Sequence, residues 1–168
     1  VVVVSDHNTI SGIEKLKTAI KLVSDLFQNK CKEYIEVING VEISCADKVH
    51  VLVAFPNSKA SFIQKWLNFN LMSIKEGSFK ASLEVLEKFI YKDCFAYIAH
   101  MNSSDVFKEG HFSNAYKKKL FSIAYTQFIG VSNLDKIDNI NSYLKAYLKK
   151  RKPAFVLDND SHCIEDHS

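Results

Sequence analysis

Four short segments put metal-competent side chains where an apolar run gives way to polar residues: Ser5-Asp6-His7-Asn8, Gly40-Val41-Glu42-Ile43-Ser44, Ala99-His100-Met101-Asn102 and Asp160-Ser161-His162. Carboxylates and imidazoles delivered together can surround divalent cations, and this donor mix suits Zn, Mn or Fe better than Ca. Each residue also has a plainer reading. His7 follows an apolar run and an acidic neighbour, as a capped loop histidine would. Asp6 is either a ligand or a hydrogen-bond acceptor that orients the turn. Glu42 stands between Val41 and Ile43, where an unpaired carboxylate costs on the order of several kcal/mol, so it is either salt-bridged or metal-bound. His100 closes the run CFAYIA and is expected to face a site rather than fill a core. Asp160 and His162 are two apart, so on an extended segment both reach the same ion. Asp158 is in phase with them and reads as solvated or orienting. His50 opens a strand as a ligand or a structural hydrogen-bonding group, and His111 and His167 read as surface residues.

The elements that must position these groups alternate in type. Val1–Val4 reads as a strand covered on both faces. Ser11 and Glu14 form a capping-box pattern before a stripe of Ile13, Leu16, Ile20, Val23 and Phe27. Tyr34–Ile38 and Val41–Ile43 read as a strand interrupted near Asn39-Gly40, and Val49–Phe55 as the next. Helices are expected at Ala60–Asn68, Ala81–Tyr91 and Tyr116–Ala124, and an amphipathic one at Asn133–Lys150. Strands are expected at Cys94–Ile98, Gln127–Val131 and Phe155–Leu157, with a loop over Asn102–Phe112. Such alternation predicts parallel pairing through right-handed crossovers, with the site at the carboxyl ends of the strands.

Composition narrows the class. At 168 residues with 47% hydrophobic content the chain reads as one folded domain, residues 1–168, with no internal linker. No apolar run approaches the roughly 18 residues of a membrane span, and the first residues, though apolar, are not expected to form a signal peptide because they lack its basic leader. Cys31, Cys45, Cys94 and Cys163 are widely spaced and predict reduced thiols of a cytoplasmic protein. The net charge of +3 is compatible with anionic substrates. Lys117-Lys118-Lys119 and Lys149-Lys150-Arg151-Lys152 either complement helix dipoles or, at Arg151 and Lys152, hold a phosphate. Neither a Gly-rich phosphate loop nor a Gly-x-Ser-x-Gly nucleophile motif is present.

Taken in order, SDHN, GVEIS, AH and DSH resemble the motif series of PHP domains, the polymerase and histidinol phosphatase superfamily. HVLVAFP at His50–Pro56 is similar to the strand that follows the Glu segment in that family. NTISGIEKL and IAHMNSS resemble PHP domains at the front of AAA-like ATPase proteins. The resemblance implies an α/β fold, a parallel-stranded, distorted TIM-like (β/α)7 barrel, here without its first strand. It implies a divalent transition metal (Zn, Mn or Fe) held by His7, Glu42, His50, His100, Asp160 and His162. Asp6 and Glu42 would be its catalytic carboxylates, with Glu42 bridging metals. The family's opening His-x-His is absent, and the expectation is a piece of a longer protein that is weak or inactive alone.

The expected activity is hydrolysis of a phosphate ester by metal-activated water, with a phosphorylated substrate of unspecified identity. The competing expectation is a degenerate PHP module with a regulatory or binding role in a larger protein, next to a C-terminal ATPase domain. A third, nuclease action on nucleic acid, rests on the basic clusters alone.

Overall fold

The computed structural model describes residues 2–26, 36–90, 92–103, 105–107, 110–122, 126–148 and 152–158. Eight strands and five helices are laid out in these segments. They are β1 (Val2–Val4), α1 (Ile13–Leu26), β2 (Val37–Ser44), β3 (His50–Phe55), α2 (Ala60–Asn70), β4 (Leu71–Ser73), β5 (Gly77–Ser78), α3 (Ser82–Phe89), β6 (Phe95–Ile98), α4 (Asn114–Leu120), β7 (Phe128–Val131), α5 (Ile137–Leu144) and β8 (Ala154–Leu157).

Six strands form one curled sheet in the order β1-β2-β3-β6-β7-β8, and β4 and β5 form a separate hairpin. The sheet is mixed, which overturns the expected parallel (β/α)7 barrel. β2 runs antiparallel to β3 and β3 antiparallel to β6, whereas β1-β2, β6-β7 and β7-β8 are parallel. The reason is connection length. Only Cys45–Val49 separates β2 from β3, and a parallel return needs about a dozen residues or more. Between β3 and β6 the chain makes two helices instead of one, so it comes back to the sheet running the other way.

Alternation along the strands sorts side chains onto two faces. Val41, Ile43, Val51, Val53, Phe55, Ala96, Ile98, Ile129 and Val131 belong to the main core, with Ile63 and Leu67 of α2 and Val85, Leu86 and Phe89 of α3. The other face carries a smaller cluster, Leu52, Ala54, Tyr97 and Ala99, flanked by Ile38, Phe128 and Val156. Glu42 is paired in register with Leu52 and belongs to that second face. Burial, with Asp158 and Glu42 nearby, pushes the Tyr97 phenol well above its ordinary pKa.

Several local expectations are revised. β2 is continuous through Asn39-Gly40; Gly40 is there because an added Cβ would lie 2.9 Å from Val3 Cγ1 and 3.0 Å from the Val4 carbonyl. β1 is an edge strand with Val2 and Val3 exposed, not covered on both faces. The α1 stripe is buried at Ile13 but Val23 is exposed, and the Ser11 hydroxyl is engaged by the Thr9 hydroxyl. The expected Asn133–Lys150 helix is a 3-10 turn at Leu134–Lys136 followed by the shorter α5. Among the described residues no helix is long and apolar enough to cross a membrane.

Candidate metal centre

The first motif reaches Glu42 by extending the edge of β1. After Ser5 the chain re-forms a short parallel bridge, with Asn8 N–H donating to the Glu42 carbonyl at 2.8 Å and Glu42 N–H to the Asp6 carbonyl at 3.1 Å. Asp6 is exposed and its Oδ1 accepts from the His7 N–H at 2.8 Å, which fixes the turn. Asn8 locks it from the other side. Its φ is +57°, a left-handed conformation that asparagine tolerates better than most residues. Its buried amide donates to the Ser44 hydroxyl and the Ile74 carbonyl and accepts from the Ser44 N–H.

Around Glu42 three imidazoles gather from three different segments. His50, at the start of β3, places Nδ1 2.7 Å from Glu42 Oε1. Nε2 of His7 and Nε2 of His100 each lie 3.7 Å from the same oxygen. The His50 ring stands edge-on to both others, with centroids 5.5 Å from His7 and 5.1 Å from His100. One ligand atom from each of His7, Glu42 and His50 falls within 4.8 Å of the other two. Glu42 and His100 are only 5% and 6% exposed, so neither could be left as an isolated charge.

His100 is held in an unusual backbone state, with φ at +30°. Four contacts clamp it. Asp158 Oδ2 accepts from the His100 N–H at 2.9 Å, and Met101 N–H donates to the Gly130 carbonyl at 2.9 Å. Ser103 donates to the His100 carbonyl through both its N–H and its hydroxyl. Asp158 is therefore buried and structural, not solvated. On the imidazole itself, the buried Nδ1 lies 3.9 Å from Asp158 Oδ2, beyond hydrogen-bond distance, while Nε2 faces Glu42.

The donor set fits a transition metal: imidazole nitrogens and a carboxylate oxygen converge, and the backbone that carries His7 and His100 is pinned. His7, Glu42, His50 and His100 come together, while Asp160 and His162 lie outside the described residues. So do His167 and Lys149, Lys150 and Arg151; His111 is exposed and reaches the Asp47 carbonyl at 3.2 Å. Sequence reasoning missed the anchoring part played by Asn8 and Gly130; of its two readings of Asp158, the orienting one holds. The signal for Asn8 was its place beside the motif histidine; nothing local marked Gly130.

Beside the cluster is a cavity of about 340 Å³, walled by Lys48, His50, His100, Ser103 and Phe107 among others. It is large enough for a phosphoryl group and carries a cationic side chain at its rim.

No family model matches this chain, and no solved structure matches it. It is similar to an uncharacterized protein of Streptococcus pneumoniae serotype 4 (strain ATCC BAA-334 / TIGR4), with 40% identity over 129 residues, 76% of this chain and 50% of that protein. The chain thus spans about half the length of the curated relative it matches.

Proposed function

We propose that this chain carries a metal-dependent phosphoesterase site of the kind its motif resemblance to PHP domains implies. One observation carries the reading: His7, Glu42 and His50, drawn from three separate segments, present ligand atoms within 4.8 Å of one another around a buried carboxylate. A bound Zn, Mn or Fe ion would act as a Lewis acid on the phosphoryl group and lower the pKa of an attacking water. The chain's own residues hold and position. Glu42 and the imidazoles of His7, His50 and His100 bind; Asp6 and Asp158 fix the backbone that carries His7 and His100. The Lys48 side chain at the cavity rim offsets phosphoryl charge. In the overall reaction a water oxygen bonds to phosphorus, the ester P–O bond breaks, and the leaving oxygen takes a proton, giving an alcohol and inorganic phosphate.

The test measures metal uptake and turnover on one preparation. Protein stripped with chelator should take up Mn or Zn and recover slow hydrolysis of p-nitrophenyl phosphate. His50→Ala and Glu42→Gln should each weaken metal binding by at least the roughly 10- to 100-fold seen for lost supporting groups at metal sites. No uptake of Zn, Mn or Fe, or turnover indifferent to chelator and to both substitutions, overturns the reading.

A further inference from the structure

A second and larger cleft, about 1370 Å³, opens between α4 and α5 and shares Phe107 with the smaller cavity beside His100. Its wall contains Lys117, the first lysine of the basic run on α4 and a residue that the metal centre does not use. Lys117 is 5% exposed, an unusual place for a lysine. Among the described residues it forms no ion pair with a carboxylate, in contrast to Lys119, which lies 3.6 Å from Glu87.

What faces Lys117 is aromatic. Its Nζ sits 5.5 Å from the Tyr143 ring centroid and 5.9 Å from that of Tyr147. Two ring faces favour a cation without supplying a full negative charge. The Tyr143 hydroxyl is buried and has no hydrogen-bond partner among the described residues, whereas the Tyr147 hydroxyl donates to Asn114 Oδ1 at 3.4 Å. The phenol oxygens of Tyr143 first, and then Tyr147, hold the Lys117 pKa above its ordinary value, so the ammonium stays charged. A buried cation with no carboxylate partner among the described residues, beside a tyrosine hydroxyl with no hydrogen-bond partner among them, on the wall of an open cleft, is a half-built anion site. Phe107 and Phe112, with ring centroids 5.9 Å apart and planes tilted by 47°, add aromatic surface to the same cleft.

We propose that the cleft between α4 and α5 binds a phosphorylated aromatic compound, its phosphate on Lys117 and Tyr143 and its ring against Phe107 and Phe112. The site stands without the metal centre: a phosphate takes donors that the described residues leave unused, and an aromatic ring packs on the aromatic lining. A small inorganic anion satisfies only the first of these.

Binding of phenyl phosphate and of inorganic phosphate to the full chain, with chelator present, tests this by calorimetry and by amide chemical shifts. Phenyl phosphate should bind at least about tenfold more tightly than inorganic phosphate, and Lys117→Met should weaken it by about tenfold or more. Tyr143→Phe should weaken it several-fold, and Lys117→Arg, which keeps the charge should Lys117→Met fail to fold, should retain most of it. Shifts should centre on α4 and α5, and His50→Ala should leave them unchanged, so failure of the metal centre would not affect the outcome. Equal binding by Lys117→Met and the unaltered chain, equal binding of the two probes, shifts centred on His50 and His100, or no binding at millimolar phenyl phosphate overturns the proposal.

Discussion

Gly130 sets how closely β7 approaches His100. An added Cβ would lie 2.5 Å from Asp158 Oδ2, 2.8 Å from Tyr97 Cε2 and 2.9 Å from the His100 nitrogen. None of these can give way cheaply: the carboxylate is bonded to His100, the ring is packed in the inner cluster, and the nitrogen belongs to a backbone already at positive φ. Gly130→Ala should therefore cost about 1–3 kcal/mol in urea unfolding, as overpacking does, and should displace His100 from Glu42. The check is a paired measurement of unfolding midpoint and Mn affinity, both of which should fall; an unchanged protein would mean that the His100 backbone is not under the constraint described. At this scale the site was partly legible. His7, Glu42 and His100 were marked by residue type at the ends of apolar runs, and they converge. His50 was the least marked of the four, because a histidine at a strand start is ambiguous until the β2-β3 register puts it diagonally across from Glu42. Gly130 was illegible because its constraint comes from atoms of Tyr97, His100 and Asp158, remote in the chain.

Among the elements, the turn between β2 and β3 is the junction that ties the sheet to its helices. Asp47 in that turn accepts from the Ser82 N–H and Ser82 hydroxyl at the start of α3, and from the Tyr116 hydroxyl of α4 at 2.6 Å. One carboxylate thus caps α3 from another element and docks α4. Burial first, and then the bond to Asp47, raises the Tyr116 pKa to about 12. A folded-state pKa above the ordinary value means that this contribution to stability is intact below pH ~10 and is lost as pH rises through about 12. Asp47→Ala should destabilise the protein by about 2–4 kcal/mol, since hydrogen bonds to a charged group are among the stronger ones. It should also remove part of the alkaline destabilisation, measurable as a flatter loss of thermal stability between pH 10 and 12. An alkaline profile identical to that of the unaltered chain would refute the assignment to Tyr116. Most helices and strands were legible as elements, because apolar spacing reports which side is buried. Their pairing was not: periodicity carries no strand direction, and the short Cys45–Val49 link was the one clue against a parallel neighbour. The β4-β5 hairpin escaped because Leu71–Ser73 and Gly77–Ser78 are too short to show a pattern.

Across the whole molecule, the candidate metal ligands join parts of the sheet that are otherwise held unequally. His50 and Glu42 sit on paired central strands, whereas His7 hangs from an edge strand whose Val2 and Val3 are exposed. An ion held by all three would tie the N-terminal segment to the middle of the sheet. A ligand that binds only the folded state stabilises it by RT ln(1 + [L]/Kd), about 2.7 kcal/mol at a hundredfold excess over Kd. For a chain of this size, that corresponds to a rise of about 5–10 °C in melting temperature. Mn is the better probe, because the softer Zn also binds cysteines and histidines of the unfolded chain and so reduces the effect. Melts followed by circular dichroism should show the rise with Mn and its reversal with chelator. Glu42→Gln should abolish it, and hydrogen exchange should slow most in residues 2–10, where the added link acts. A melting temperature indifferent to Mn, or a rise that survives in Glu42→Gln, would place any metal binding elsewhere in the chain and leave the buried carboxylate paired only with its surrounding imidazoles.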